Sequence, residues 1–234
     1  MRELTAELTA ELTAELTAEL TAELTARKKQ YEHYRDTLLT FDENNKSVEW
    51  KTLKDVLSIK NGRDYKSLDE GNIPVYGTGG IMCYVDTFAF DKPSVLIPRK
   101  GSIDKLYYVD VPFWTVDTIF YTDIDISQAE PKYIYYYLQK EHLEKLNTAG
   151  GVPSLTQAVL NRVAIPVPPL VEQQRIVSIL DRFDVLCNDI TVGLPAEIDT
   201  RKKQYEYYRD KLLTFKRLRA EAEGLCEGKD RNAV

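Results

Sequence analysis

One segment of fifteen residues occurs twice in this chain, and it constrains the fold more than any other feature of the sequence. Residues 27–41 read RKKQYEHYRDTLLTF and residues 201–215 read RKKQYEYYRDKLLTF, so the copies differ only at His33/Tyr207 and Thr37/Lys211. The two copies bracket one long block of unrelated sequence. Duplication of this kind indicates two equivalent elements that share one symmetric role.

The apolar side chains of each copy recur at the spacing of one helical stripe, which predicts two amphipathic helices. The predicted seam has four positions in the first copy and the same four in the second: Tyr31, Tyr34, Leu38, Phe41, Tyr205, Tyr208, Leu212 and Phe215. Either each helix packs on the chain's own core, or the copies pack on each other, within one chain or across a dimer. The repeated letters favour the second arrangement, because an amphipathic helix needs only a pattern and not the same residues.

Six copies of the tetrad Glu-Leu-Thr-Ala fill residues 3–26, directly before the first copy of the segment. A four-residue period exceeds the 3.6 residues of a helical turn, so each tetrad rotates its Leu by about 40°. That drifting stripe favours a spacer rod over a tight zipper, with a low-complexity helical tail as the plainer alternative. No helix breaker precedes Arg27, so residues 1–41 are predicted to form one helix of roughly 60 Å.

The block between the helices predicts one globular α+β domain over residues 46–168. Short apolar runs bounded by turn residues predict strands, and one longer run predicts a helix; the runs begin at Trp50, Ile73, Val95, Lys105, Thr115 and Val163 for the strands and at Pro131 for the helix. A second long helix is predicted over residues 169–223, weakened at Gly193 and Pro195. Residues 224–234 are predicted to be a disordered tail.

Composition bears on compartment and partners. The net charge is −6, but six Glu and one Arg lie in residues 1–26, so the rest is near neutral and can carry local basic patches. No apolar run is long enough to cross a membrane, and no secretory signal is visible. The three cysteines are scattered without a CxxC pair, so we expect a reducing, cytoplasmic setting and no metal site.

Three loop clusters combine basic, hydroxyl, amide and aromatic side chains, which are the groups that contact DNA phosphates and base edges. The candidate DNA-binding residues are Asn61, Arg63, Lys66, Tyr76, Thr78, Arg99, Lys100, Ser102, Lys105 and Ser154. Ordinary solvated surface charge is the alternative interpretation of such clusters.

Little in the sequence points to catalysis. The glycine-rich loop at residues 76–80 lacks the Lys-Ser/Thr ending of a P-loop and the helix that follows one. His33 and His142 lie in predicted helices without a nearby nucleophile, and the tyrosines of residues 133–137 indicate packing. We therefore predict no catalytic residue, no cofactor and no metal.

The tetrads, the paired segments and the motifs between them form one combination. The motifs are Trp50-x-x-Leu53, Ile73-Pro-Val-Tyr-Gly-Thr-Gly-Gly80, Val95-Leu-Ile-Pro-Arg-Lys-Gly-Ser-Ile103, Val116-Asp-Thr-Ile-Phe-Tyr121, Ile165-Pro-x-Pro-Pro-Leu170, Glu172-Gln-Gln-Arg-Ile-Val177 and Ile179-Leu-x-x-Phe183. This combination resembles the specificity subunit of type I restriction-modification systems over essentially the whole chain. Because it has one recognition domain where the full-length subunit has two, and starts inside the tetrads, the sequence resembles a half subunit.

The resemblance implies a function and a set of partners. The domain is expected to read one half of a split sequence in double-stranded DNA. The two long helices are expected to pack against one another as an antiparallel, coiled-coil-like spacer that holds two such domains apart and docks modification (methyltransferase) subunits. Restriction subunits join later, and the specificity subunit is itself non-catalytic. With one domain per chain, a homodimer is the expected form.

Two other functions remain as alternatives at this point. A methyltransferase needs a glycine-rich cofactor loop after a strand and an Asn/Asp-Pro-Pro-aromatic motif, and neither occurs here. A helical scaffold whose central domain binds protein rather than DNA fits the same composition. Salt-dependent binding to duplex DNA separates that scaffold from a DNA-recognition subunit.

Overall fold

The computed structural model describes residues 2–42, 45–146 and 154–188, together with residues 196, 199, 200, 202, 203, 206, 207 and 210. Helices and strands are mixed in this part of the chain, as predicted for an α+β fold. The helices are α1 (Arg2–Leu38), α2 (Leu53–Val56), α3 (Pro131–Lys140), α4 (Gln157–Leu160) and α5 (Leu170–Asn188), with a short 3-10 helix at Leu143–Leu146. The strands are β1 (Glu49–Thr52), β2 (Leu57–Asn61), β3 (Glu70–Gly77), β4 (Gly80–Val85), β5 (Ser94–Pro98), β6 (Tyr107–Val109), β7 (Trp114–Thr115), β8 (Ile119–Ile124) and β9 (Ala164–Val167).

An antiparallel sheet in the order β2-β8-β5-β6 separates two apolar cores. β5 reads SVLIP and is buried at every position. This burial explains its continuous apolar run, because a half-exposed strand would alternate apolar and polar residues. Its side chains point to opposite faces in turn. Val95 and Ile97 belong to the core beneath the helices, and Leu96 belongs to the core on the other face.

A second sheet, in the order β4-β3-β7, covers that other face. β3 and β4 form a hairpin in which Gly77 lies opposite Gly80, so Thr78 and Gly79 form its tip. Gly80 has a φ of 112°, a conformation that favours glycine. β7 runs parallel to β3. The glycine-rich stretch is therefore a hairpin turn followed by a strand, and no helix follows it as one would in a phosphate-binding loop.

The tyrosine run of α3 is packing, as the sequence indicates. Tyr133 is fully buried and its hydroxyl donates to the carbonyl of Pro166 at 2.9 Å. The hydroxyl of Tyr137 donates to the carbonyl of Ala164 at 3.1 Å. Both carbonyls belong to the β1–β9 ladder, which pairs the start of the domain with its end. The tyrosines therefore fasten α3 to the point where the chain enters and leaves the domain.

The first copy of the duplicated segment lies at the end of α1 and packs on the domain core. Tyr31 is buried there, and Leu38 and Phe41 pack against the same core. Tyr34 is 42% exposed, with its ring stacked on Phe183 of α5 at a centroid distance of 5.4 Å. For the first copy the structure therefore shows contacts with the chain's own core and with α5. The seam residues of the second copy, Tyr205, Tyr208, Leu212 and Phe215, lie outside the described residues, so the packing of copy on copy stays a prediction.

Several element boundaries differ from the sequence expectation. α1 ends at Leu38, short of Phe41, and α3 ends at Lys140, where the 3-10 helix takes over after His142 adopts a φ of 50°. The strand expected from Thr115 to Tyr121 is divided between β7 and β8, because the chain leaves the β3 sheet and enters the central sheet there. α5 is described to Asn188, so the predicted continuation through residue 223 is not covered.

Candidate nucleic-acid interface

One edge of the central sheet gathers the strand ends that carry the predicted DNA-binding residues. In the antiparallel pairs Asn61 lies opposite Phe120 and Pro98 lies opposite Ile119. The end of β2, the start of β8 and the end of β5 therefore share one edge. β6 is antiparallel to β5 and begins at the same edge. We call this the interface edge.

The turn between β7 and β8 joins the predicted clusters at the interface edge through backbone hydrogen bonds. The N–H of Arg63 donates to the carbonyl of Thr115 at 2.8 Å, and the N–H of Arg99 donates to the carbonyl of Thr118 at 3.0 Å. The parallel pairing of β3 with β7 places Tyr76 beside Thr115. Residues far apart in the sequence thus meet around one turn.

Arg99 is the most constrained cation of this edge. Its guanidinium lies 5.2 Å from the ring centroid of Phe120, a cation–π distance, and Nη1 donates to the carbonyl of Asp117 at 3.4 Å. The Nε atom is buried and makes no hydrogen bond within the described residues. A half-buried guanidinium held by a ring on one side is pre-oriented, which suits bidentate contact with a base or phosphate.

The loop after β5 supplies the other cations of this cluster. Lys100, Ser102 and Lys105 are all exposed. Lys100 forms an isolated antiparallel bridge with Ser154, which brings a residue from beyond α3 into the cluster. Gly101 has a φ of 81°, so the loop turns sharply at a position that favours glycine. The side chains on either side of it therefore project from a fixed turn.

Tyr76 and Thr78 reach the interface edge on the β3–β4 hairpin. The hydroxyl of Tyr107, at the start of β6, donates to the carbonyl of Thr78 at 3.0 Å. The ring of Tyr76 lies 6.0 Å from the ring of Tyr107 and 6.3 Å from that of Phe113. Burial raises the pKa of both tyrosine hydroxyls, so they remain neutral donors. Tyr76 therefore has a packing role in addition to any contact with DNA.

The remaining candidates continue this surface. Asn61 ends β2 and is exposed, and exposed Lys66 lies in the loop that follows, where its N–H donates to the carboxylate of Asp64. Three acidic side chains lie along the same loops, so positive and negative charges are interspersed on this surface; they are Asp64, Asp104 and Asp117. The fold places the ten candidates along one edge or on loops leaving it; their contact with DNA stays a prediction.

The β3–β4 hairpin exposes apolar side chains that were not among the residues predicted from the sequence. Ile81, Met82 and Tyr84 on β4 are each at least half exposed. A Cβ at Gly77 would lie 2.5 Å from Met82 Sδ, so glycine at that position leaves room for the methionine. The run IMCYV predicts a strand but not its exposure, because the position of β4 at the edge of its sheet depends on pairing between distant residues.

The described residues offer no other site with a clear chemistry. No group of three or more His, Cys, Asp or Glu side chains among them is arranged to hold a metal ion. No helix in this part of the chain is long and apolar enough to cross a membrane.

Comparison with known proteins identifies the family. The profile of the type I restriction modification DNA specificity domain matches residues 45–200, which is most of the chain. The protein belongs to this family. The matched region contains the whole interface edge described above.

Curated relatives and solved structures agree with that assignment. A putative type I restriction enzyme specificity subunit of Haemophilus influenzae is 39% identical, and the EcoR124I/EcoR124II specificity subunit of Escherichia coli is 38% identical; each match covers 81% of this chain and 53% of the relative. The chain therefore spans about half the length of these relatives. The S subunit of M. genitalium has the same fold, with a TM-score of 0.60 at 21% identity over 90% of this chain and 59% of that one.

Proposed function

We propose that this protein is the DNA-recognition subunit of a type I restriction-modification complex, and that its interface edge reads one half of a bipartite target. The observation that carries this proposal is the convergence of Arg63, Arg99, Lys100 and Lys105 on one sheet edge of a specificity-family domain. Cations on pre-formed loops provide phosphate contacts, and the half-buried Arg99 provides a candidate base contact. The protein itself is non-catalytic and uses no cofactor or metal.

In this proposal the protein is a homodimer, and its second recognition domain reads the second half-site. Two-fold symmetry gives the two domains opposite orientations, so both read the same half-site on opposite strands. The near-identical sequences of residues 27–41 and 201–215 support this arrangement, because they indicate two equivalent helices. A relative of comparable length also exists: a putative type I specificity subunit of Mycoplasma pneumoniae is 30% identical, and the match covers 85% of it.

The partners in the proposed complex are duplex DNA, two modification subunits and the restriction subunits that join them. The helix α1 precedes β1 and the helix α5 follows β9, so both adjoin the domain at the β1–β9 ladder. In this proposal the two helices form the spacer and present the docking surfaces for the modification subunits. A cytoplasmic location follows from this function.

Methylation-site mapping tests the proposal directly. Cells that express this protein with its modification subunit should methylate an interrupted palindrome, and light scattering should give a dimer, alone or with that subunit. An asymmetric methylated sequence, or a monomer in both states, contradicts the homodimer. The absence of salt-dependent binding to duplex DNA contradicts DNA recognition and favours the helical scaffold.

A further inference from the structure

The helix α3 is tied to α5 by one carboxylate that uses both of its oxygens. Lys132 Nζ lies 2.8 Å from Asp181 Oδ2, and the hydroxyl of Tyr136 donates to Asp181 Oδ1 at 2.6 Å. Burial raises the pKa of Tyr136, so its hydroxyl stays a donor. Both ends of this contact are half-buried, and two bonds to one carboxylate fix its direction as well as its distance.

The other end of α3 is tied to α1. Lys140 Nζ donates to the carbonyl of Leu39 at 3.1 Å. Leu39 directly follows the last residue of α1 and is fully buried. The last carbonyls of a helix lack partners within the helix, and a cation there also complements the helix dipole. Lys140 therefore holds the C-terminal end of α1 in place.

The same helix is joined to the sheet that carries the interface edge. Lys132 Nζ lies 5.5 Å from the ring centroid of Tyr108, and the rings of Tyr108 and Tyr135 are 6.0 Å apart. Tyr108 belongs to β6, next to the Tyr107 that holds Thr78 of the hairpin. Contacts thus run without interruption from both long helices, through α3, to the interface edge.

The angle at this junction matters because α1 is long. Its 37 residues give a length of about 55 Å. A tilt of about 10° at the domain end moves the far end by about 10 Å, which equals about three base pairs of DNA at 3.4 Å each. A protein that measures the distance between two half-sites therefore needs a rigid junction more than it needs a rigid rod.

We propose that Lys140 and Asp181 are positioning residues that fix the angle between the long helices and the interface edge, and so determine how strictly the protein selects the spacing between half-sites. This inference rests on the proposed function. Neither side chain belongs to the interface edge, so neither should affect which bases are read. Their effect is confined to the number of unspecified base pairs between the half-sites.

The test uses the full protein with its modification subunit and compares methylated sites genome-wide. Lys140→Met and Asp181→Asn should keep the half-site bases but raise methylation at spacings one base pair longer or shorter by about tenfold, which is a loss of about 1.4 kcal/mol of discrimination. Lys140→Arg should keep methylation at the wild-type spacing, because arginine can still donate a hydrogen bond to the carbonyl of Leu39. Arg175→Met is the matched control, since its 2.7 Å pair with Glu172 is exposed and confined to α5. If Asp181→Asn fails to fold, Tyr136→Phe replaces it as the test variant, because it removes only the hydroxyl that donates to Asp181.

The outcomes separate the two proposals. If the wild type has no bipartite target, the proposed function fails and this inference fails with it. If the wild type holds one spacing and the folded variants hold it equally strictly, this inference alone is wrong. A change in the specified bases with spacing intact also overturns it, because a junction residue would then be acting on base recognition.

Discussion

Gly62 shows how closely the interface edge is packed at the scale of a single residue. A Cβ at this position would collide with the carbonyl oxygen of Val116 and lie 2.6 Å from that of Thr115. The N–H of Gly62 donates to the carbonyl of Ile119 at 3.3 Å, which continues the β2–β8 pairing beyond Asn61. The contact that gathers the clusters therefore needs a residue without a side chain.

We expect Gly62→Ala to lower the free energy of unfolding by about 1–3 kcal/mol or more, because backbone atoms cannot yield as a flexible side chain can. Gly79→Ala is the control, since a Cβ at the hairpin tip meets nothing within 4 Å. Urea unfolding of both variants measures the difference. Equal midpoints for the two variants would contradict the close approach described here.

Arg99 and Lys100 are adjacent but are predicted to act differently. The oriented guanidinium of Arg99 should read a base, so Arg99→Ala should cost about 1–3 kcal/mol at the cognate site and relax one position. Exposed Lys100 should contact phosphate, so Lys100→Ala should weaken binding to all sequences alike and reduce the salt slope by about one.

Binding titrations of the full complex at several salt concentrations measure both effects. Lys54→Ala is a suitable control, because Lys54 is an exposed cation on α2, at the opposite end of β2 from the interface edge. If binding is unchanged in both the Arg99 and Lys100 variants, this part of the predicted surface is not in contact with DNA.

At the scale of the element, two buried hydroxyls replace backbone bonds between β5 and β8. Ser94 Oγ donates to the carbonyl of Thr122 at 2.7 Å and accepts its N–H at 2.9 Å. Thr122 Oγ1 accepts the N–H of Val95 at 2.9 Å and donates to its carbonyl at 3.1 Å. The two strands therefore stay joined where their direct ladder, which pairs Ile97 and Pro98 with β8, has ended.

Thr122→Val keeps the shape of the side chain but leaves the buried N–H of Val95 without a partner. We expect a loss of about 1–3 kcal/mol in the free energy of unfolding. Thr122→Ser retains the hydroxyl and should lose clearly less. Thermal or urea unfolding distinguishes them, and a serine variant as unstable as the valine variant would assign the effect to the methyl group instead.

At the scale of the whole molecule, we predict that the tetrads of α1 set the distance between the two half-sites in the proposed complex. Each Glu-Leu-Thr-Ala copy adds about 6 Å of helix and rotates what lies beyond it by about 40°. Deleting one copy should shorten the unspecified spacer by a small number of base pairs and leave the specified bases unchanged, because a separate domain reads them.

Methylome mapping of a deletion series measures this. Deletion of the copies next to Arg27 should change the spacer most. Deletion of the outermost copies should leave the spacer unchanged if those copies do not contribute to the distance between the half-sites. A spacer that stays fixed down to the last tetrad, or a change in the specified bases, would rule out the spacer function of α1.

The sequence by itself predicted the α+β class and several of the elements, and its motifs pointed to the family. Continuous apolar runs predicted β5 and β9, and the resemblance carried by the tetrads, the paired segments and the motifs between them led to the family that the profile match then identified. These features are local, because a strand or helix is encoded in the spacing of neighbouring apolar residues, and a motif in adjacent letters. The sequence also predicted the basic clusters one by one.

Only the tertiary structure decided that those clusters meet, and where. Antiparallel register brings Asn61 to β8 and Pro98 to Ile119, and no local pattern specifies which strands become neighbours. Three other features could not be predicted from the sequence either, because each depends on residues that are distant in the chain. They are the split between β7 and β8, the edge position of β4, and the bonds from α3 to Asp181 and Leu39. Long-range pairing, which follows from packing the whole core at once, turned separate basic loops into one edge.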